Sequence, residues 1–337
     1  VDKVNIRPLR CFGDYEGCVE IQREVWGHAD LDITPVHQFC ISVQTGALLL
    51  GAFVGKKLAG YVYSFPAAFG RKNCQHSHHL AVLPDYQGYG IGKKLKQAQW
   101  KEALRAGYDL VTWTYDPMQA RNANLNLHTL GVVGKTYLDD FYGRTPSLSL
   151  DIGVPTDRLL VEWWIKSARV RRKMSREDEP PAAGRFAAAV KGRAKGLPLA
   201  HGLYPRASTA DGAPSAVDPR AKPGALTRDV NTRLSTAEAD PQTKPGAPAT
   251  APAAVERKPG GTYPDIAPAR PILTLKDPNI LVELPKNIRD LKPVPGAIGR
   301  WQKAVRTALK HYFSHGYRLE DFIFGERCYY VLKKSRS

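Results

Sequence analysis

Gln87-Gly88-Tyr89-Gly90-Ile91-Gly92 stands between a strand-like run, Leu80-Ala81-Val82-Leu83-Pro84, and a helical run over residues 93–106. A strand that turns through glycines into a helix gathers several unpaired backbone N–H groups and the positive end of the helix dipole at one point. Such a point holds a phosphate or pyrophosphate without charged side chains, and glycine lets the ligand come close to the backbone.

Three phosphate-binding patterns compete for this stretch. The kinase-type loop ends in Gly-Lys-Ser/Thr, but Gly92-Lys93 is followed by Lys94, so the metal-binding hydroxyl is missing. The dinucleotide pattern is Gly-x-Gly-x-x-Gly, and Gly88-x-Gly90-x-Gly92 has the wrong spacing. Gln87-x-x-Gly90-x-Gly92 fits the third, Gln/Arg-x-x-Gly-x-Gly/Ala after a strand. A glycine-rich turn before an ordinary helix is the plain alternative, so the flanking elements decide.

Those elements come in a definite order. Residues 6–9 read as a strand, 14–26 as a helix stopped by Gly27, and 35–43 as a second helix. Residues 47–54 and 57–65 read as a hairpin, and 74–83 as the strand before the glycine loop. After the loop and its helix come a strand at 110–115, a break at Asp116-Pro117 and a helix at 120–130 ending at Gly131. The loop and this order over residues 4–165 resemble the GNAT superfamily of N-acyltransferases. Runs such as Trp113-Thr114-Tyr115-Asp116-Pro117, Arg121-Asn122-Ala123 and 157–163 are similar to those of a group of large bacterial members. The resemblance implies an α/β (α+β) fold: a mixed, mostly antiparallel central sheet flanked by helices. It also implies acetyl-CoA or another acyl-CoA as cosubstrate.

Three regions follow from composition. Residues 1–168 are the GNAT-like domain. Residues 169–272, rich in Pro, Ala and Gly, are a basic linker that cannot bury enough surface to offset chain entropy, with a short helix at 185–195. Residues 273–337 form a small unit: a strand at 280–285, an amphipathic helix at 296–315 and a hairpin of 318–324 with 327–333. This unit is expected to dock on the first domain and wall off an acceptor pocket.

The net charge is +17, from 49 Lys and Arg against 32 Asp and Glu. A basic balance invites nucleic acid. The basic runs at 166–176 and 185–195 carry no interleaved aromatics for base stacking, so a solvated basic linker is expected instead. No apolar run approaches membrane-spanning length, and no leader pattern is visible at the start. Five scattered cysteines without Cys-x-x-Cys predict reduced thiols and a cytoplasmic setting.

Acyl transfer from a thioester to an amine needs a proton acceptor, an oxyanion donor and an acid for the leaving thiolate. Alternation along the strand puts Cys74, His76 and His78 on one face and His79 on the other. Imidazoles titrate near neutrality and suit a general base. The same three residues could be metal ligands, but the spacing suggests no fourth and no metal is expected. They could also be plain hydrogen-bonded strand residues. The His-x-His-x-Leu-Ala-Val pattern resembles the arylalkylamine branch of the superfamily, which implies His78, with His76, as proton acceptor.

The resemblance implies further roles. The N–H of Leu80 would be the oxyanion donor, and Leu80, Ala81 and Val82 would contact the pantetheine arm. Gln87, Gly88, Tyr89, Gly90, Ile91, Gly92 and Lys93 would hold the pyrophosphate. Family members carry a tyrosine four residues before the glycine matching Gly131; here that position is Leu127, so either His128, Tyr137 or Tyr142 substitutes or the thiolate leaves unprotonated. Asn122 and Asn126, four apart, share a helix face and either bond the pantetheine or form a polar surface. Asp116 either binds the substrate ammonium or caps the following helix.

The leading expectation is therefore an acyl-CoA-dependent N-acyltransferase, most plainly an acetyltransferase, acting on a small amine or amino acid. A coenzyme-binding but catalytically silent module that recruits a partner or nucleic acid, and a protein N-acyltransferase, are the alternatives.

Overall fold

Runs of β-branched and aromatic residues punctuated by Gly turns give this chain its strands. The computed structural model describes residues 3–143, 154–175, 199–201 (backbone only), 268 and 270–335. Strand β1 (Val4–Pro8) leads into helix α1 (Phe12–Trp26), ended by Gly27 in the left-handed conformation, and helix α2 (Val36–Gln44). Strands β2 (Leu48–Val54), β3 (Lys57–Phe69) and β4 (Lys72–Val82) follow as an antiparallel meander. Helix α3 (Ile91–Arg105), strand β5 (Leu110–Tyr115) and a short α4 (Ala120–Ala123) come next.

The sequence predicts one helix over 120–130. Its second part, Asn124–Leu130, is instead a π-helix, closed by Gly131 at φ 78°. Strands β6 (Val133–Leu138) and β7 (Arg158–Trp164) precede helix α5 (Ala168–Met174). Helix α5 occupies residues that composition assigns to the start of the linker. Val170 and Met174 on its inner face are buried, and apolar spacing in so basic a segment is easily read as solvated chain. The rest of the expected linker to residue 267, including the helix at 185–195, lies outside the described residues apart from strand β8 (Leu199–His201).

Strand β9 (Asn279–Leu284), helix α6 (Ala297–Ser314), and strands β10 (Tyr317–Ile323) and β11 (Cys328–Lys334) complete the fold. The eleven strands among the described residues form one sheet in the order β1-β2-β3-β4-β5-β7-β6-β10-β11-β9-β8. The sheet is mixed and mostly antiparallel; only β4–β5 and β8–β9 are parallel. β10 joins β6 through Leu319↔Gly134. One core runs across that seam, from Trp113 and Trp163 to Trp301, Leu309 and Tyr330. Among the described residues no helix is long and apolar enough to cross a membrane.

Two features of β4 prepare the site. Its pairing with β5 is confined to Gln75↔Val111 and His76↔Thr112, so the strands part beyond that point and leave a fork in the sheet. Its register with β3 steps from Ser64↔Ser77 to Tyr63↔His79, which makes His78 the extra residue of a β-bulge. Bulges re-aim side chains and occur beside active sites.

Candidate active site

At the open end of the fork, Gly88 (φ 87°) and Gly90 (φ 77°) are both left-handed. A Cβ at either would meet nothing within 4 Å, so conformation rather than crowding calls for glycine here. The α3 ladder opens with Lys94 N–H donating to Gly90 O, so the amides of Ile91 and Gly92 at the helix start are not taken up by the helix. The side chain of Ile91 is buried with Leu95 and Val62 and anchors the loop, while Tyr89 is exposed. Lys93 and Lys94 give the first turn positive charge and no acid lies there. Gln87 turns back, its Nε2 donating to Val82 O at 2.9 Å, so Gln87 fixes the loop to the strand end and occupies the Val82 carbonyl. Leu80 and Val82 lean on the α3 side, whereas Ala81 is buried on the other.

Further up β4, the bulge overrides simple alternation. His79 was predicted on the face opposite His78. Instead the two rings stack at 4.3 Å, and both lie about 6 Å from Tyr63. His79 Nδ1 is 3.0 Å from Tyr61 Oη, and its ring packs on Trp26. His76 Nδ1 is 3.2 Å from Thr112 Oγ1, at the fork's last rung, and its ring is 6.5 Å from that of His78. Burial, then His78 and Lys96, hold the His76 imidazole down to about 4. The protein around His78 lowers its pKa as well. Both rings are thus neutral at pH 7 and able to accept a proton.

His78 is the exposed member and opens on a pocket of about 550 Å³. Thr34, Gln38, Ser42 and Thr45 form one wall, and Tyr63, Phe65 and Pro66 the other. Tyr63 Oη and Gln38 Nε2 both donate to Ser42 Oγ, at 2.7 and 3.1 Å. The sequence reading missed the α2 wall. Gln38, Ser42 and Thr45 stand at i, i+4 and i+7, a polar stripe that passes for a solvent face unless the opposite strand is known to be concave. Among the described residues none beyond His78 lines this pocket, and β10, β11 and α6 extend the far side of the sheet.

The remaining sequence candidates are scattered. Asp116 follows β5, where its Oδ1 accepts Met118 N–H at 2.8 Å, and burial raises its pKa. It caps a turn and is not among the pocket's lining residues. Asn126 Nδ2 donates to Asn122 Oδ1 at 3.1 Å, so the two do share a face of the α4–π segment, Asn126 buried and Asn122 exposed. Leu127 is fully buried in the core. Of its possible substitutes, His128 meets Asp321 at 2.9 Å and Tyr137 donates to the buried Asp157 at 2.6 Å. Tyr142 Oη lies 3.2 Å from Thr114 Oγ1 on β5, beyond the last rung. Among the described residues no three His, Cys, Asp or Glu side chains converge as a metal site requires.

Comparison with known proteins matches residues 15–131 to the acetyltransferase (GNAT) family. No curated protein matches the chain. Among solved structures, the chain is similar to the Salmonella typhimurium protein yncA with its cofactor acetyl-CoA, at 17% identity, covering 53% of this chain and 99% of that one, with a TM-score of 0.41. It is similar to the ribosomal-protein-S18-alanine N-acetyltransferase of Escherichia coli at 17% identity, covering 49% and 96%, with a TM-score of 0.39. A GNAT family acetyltransferase from Elizabethkingia anophelis with acetyl-CoA bound gives 17%, 49%, 99% and 0.38 in the same order.

Proposed function

We propose that the protein, whose residues 15–131 match the GNAT acetyltransferase family, is an acyl-CoA-dependent N-acyltransferase that moves an acyl group, acetyl in the simplest case, to a small amine. The observation that carries this reading is the fork between β4 and β5, with an amide-rich glycine turn at its open end and His78 beside a pocket on the α2 face. From His78 to Val82 is roughly 13 Å of strand, so a linear ligand with its pyrophosphate at the loop reaches the histidines along the fork.

In this reading the amides from Gly88 to Lys93 hold the pyrophosphate, and Leu80 to Val82 flank the pantetheine arm. The thioester lies in the fork and the amine enters from the pocket. His78 takes the amine's proton, with His76 next in line. Among the described residues the pocket lining offers hydroxyls, an amide and rings but no lysine or arginine to pair with a carboxylate. That favours amines without an acid group over amino acids as acceptors. Rings around an entrance also suit a positively charged amine.

The test is thiol release from acetyl- and succinyl-CoA against a panel of neutral-bodied amines and amino acids. Amine-dependent release with wild type, absent with amino acids, is the expected result. Coenzyme binding without release for any amine would remove the transferase reading, and no coenzyme binding would remove the reading of the loop.

A further inference from the structure

Helix α3 turns Lys96 inward, onto the side of β4 opposite the histidines, until only 2% of the residue is exposed. Its Nζ lies 3.2 Å from Ser77 Oγ, 3.8 Å from the ring centroid of Trp113 and 5.1 Å from that of Trp163. Among the described residues no carboxylate stands within ion-pair distance of it. A buried ammonium without a counter-charge is strongly disfavoured, and burial pulls this lysine's pKa well below the ordinary value.

Its position gives the anomaly a meaning. Ser77 and Trp113 are the first residues past the last β4–β5 rung, His76↔Thr112. Lys96 therefore sits at the closed end of the fork. Among the described residues polar atoms without partners gather there: Gln75 Nε2 and Gln99 Oε1 are buried and unbonded, while Gln99 Nε2 donates to Ser77 Oγ at 3.1 Å. A buried enclosure magnifies the effect of any charge within it. An apolar residue of similar length would suit the same space with less penalty.

We propose that Lys96 supplies the positive charge that stabilises negative charge developing in the fork during acyl transfer. The proposal rests on the transferase reading. In that reaction the amine nitrogen bonds to the thioester carbon as the carbonyl π pair moves to oxygen. The pair then returns, the C–S bond breaks with its electrons on sulfur, and the amine's proton passes to His78. Lys96 makes and breaks no bond. It answers the oxyanion and then the thiolate, in a chain whose Leu127 offers no hydroxyl for the purpose. The face of Trp113 favours the charged form of Lys96, and an anion in the fork favours it further. The groups against it are Ser77 from β4, Trp113 from β5 and Trp163 from β7, with Gln99 of its own helix sharing Ser77, none of them acidic. His76, behind β4, is the titratable group its charge reaches.

The experiment compares wild type with Lys96→Met and Lys96→Arg by calorimetric coenzyme A binding, thermal melting and the pH profile of amine-dependent thiol release. For Lys96→Met the expected result is unchanged coenzyme affinity, an equal or higher melting temperature and a kcat lower by tenfold or more. The acidic limb of the profile, which His78 sets, should keep its position, because the charge of Lys96 reaches His76 and not His78. Lys96→Arg should recover part of the rate. Lys96→Met that keeps kcat, or that unfolds, would overturn the proposal and assign Lys96 to the fold. A wild type silent toward every amine would overturn the transferase reading itself, before any variant is compared.

Discussion

The two faces of β4 hold their polar side chains under opposite conditions. On one, His76, His78 and His79 line up among Phe65, Tyr63 and Tyr61, and His78 opens on a pocket of about 550 Å³. On the other, Gln75, Ser77, Gln99 and Lys96 are sealed in the interior with two amide atoms unbonded. A single extra residue, His78, makes the difference: the bulge brings two successive imidazoles to one side. The open face is suited to exchanging protons with a ligand, the closed face to acting by charge alone. His78→Ala is the hardest test of that division. It should lower amine-dependent thiol release by about 10²–10⁴ while leaving coenzyme A affinity and melting temperature near wild type. A variant with full activity would move the proton acceptor off this face.

The same contrast has a signature in stability. His76 is held down to about 4, and desolvation by the surrounding protein lowers His78 and His79 as well. Between that value and the ordinary histidine pKa the unfolded chain binds more protons than the folded one. Stability therefore falls as pH drops through the window from about 6.5 to about 4 and is fully present above it. His76 alone accounts for up to about 3 kcal/mol of that loss. Urea unfolding at several pH values across the window, for wild type and His76→Asn, reads the contribution as the difference between two curves. Parallel curves would mean that His76 titrates normally in the folded protein.

What the sequence showed and what it hid divide along the same line. The glycine turn was legible because left-handed glycines at the end of an apolar strand have few other uses, and Gly88 and Gly90 adopt that conformation. The paired His76 and His78 were legible from period-two alternation. His79 was not, because a bulge is a property of two strands and leaves no mark on one. Ser42 and Gln38 were hidden for a related reason: a polar helix stripe looks solvated until the concavity that faces it is known. Lys96 was hidden most deeply. In a helix with three other lysines, at 93, 94 and 101, nothing distinguishes the one that points inward. The C-terminal strands could be read as strands, but not as part of the same sheet, since their union with β6 rests on the single register pair Leu319↔Gly134.

The open face also predicts a graded response in its second wall. Ser42 Oγ accepts from both Tyr63 and Gln38. Ser42→Ala leaves two donors without their acceptor, at about 1–3 kcal/mol if water cannot replace it. Because the pocket is open, the lower end is expected: an acceptor KM raised about fivefold with kcat nearly unchanged. An equal fall in kcat and kcat/KM would instead place Ser42 in contact with the transition state.

On the closed face the smallest change is the most discriminating. Gln99 gives one hydrogen bond to Ser77 and leaves its own Oε1 buried and unbonded. Gln99→Met removes that orphan acceptor, while Ser77 Oγ keeps its bond from Lys96. Losing one neutral hydrogen bond costs about 1 kcal/mol, and releasing one buried unsatisfied group returns about as much. The expected change in stability is therefore within about 1 kcal/mol of zero, measured by urea unfolding at pH 7. A clear loss would mean that Oε1 does have a partner, most simply a water held beside Lys96, and that the closed face is wetter than its side chains alone imply.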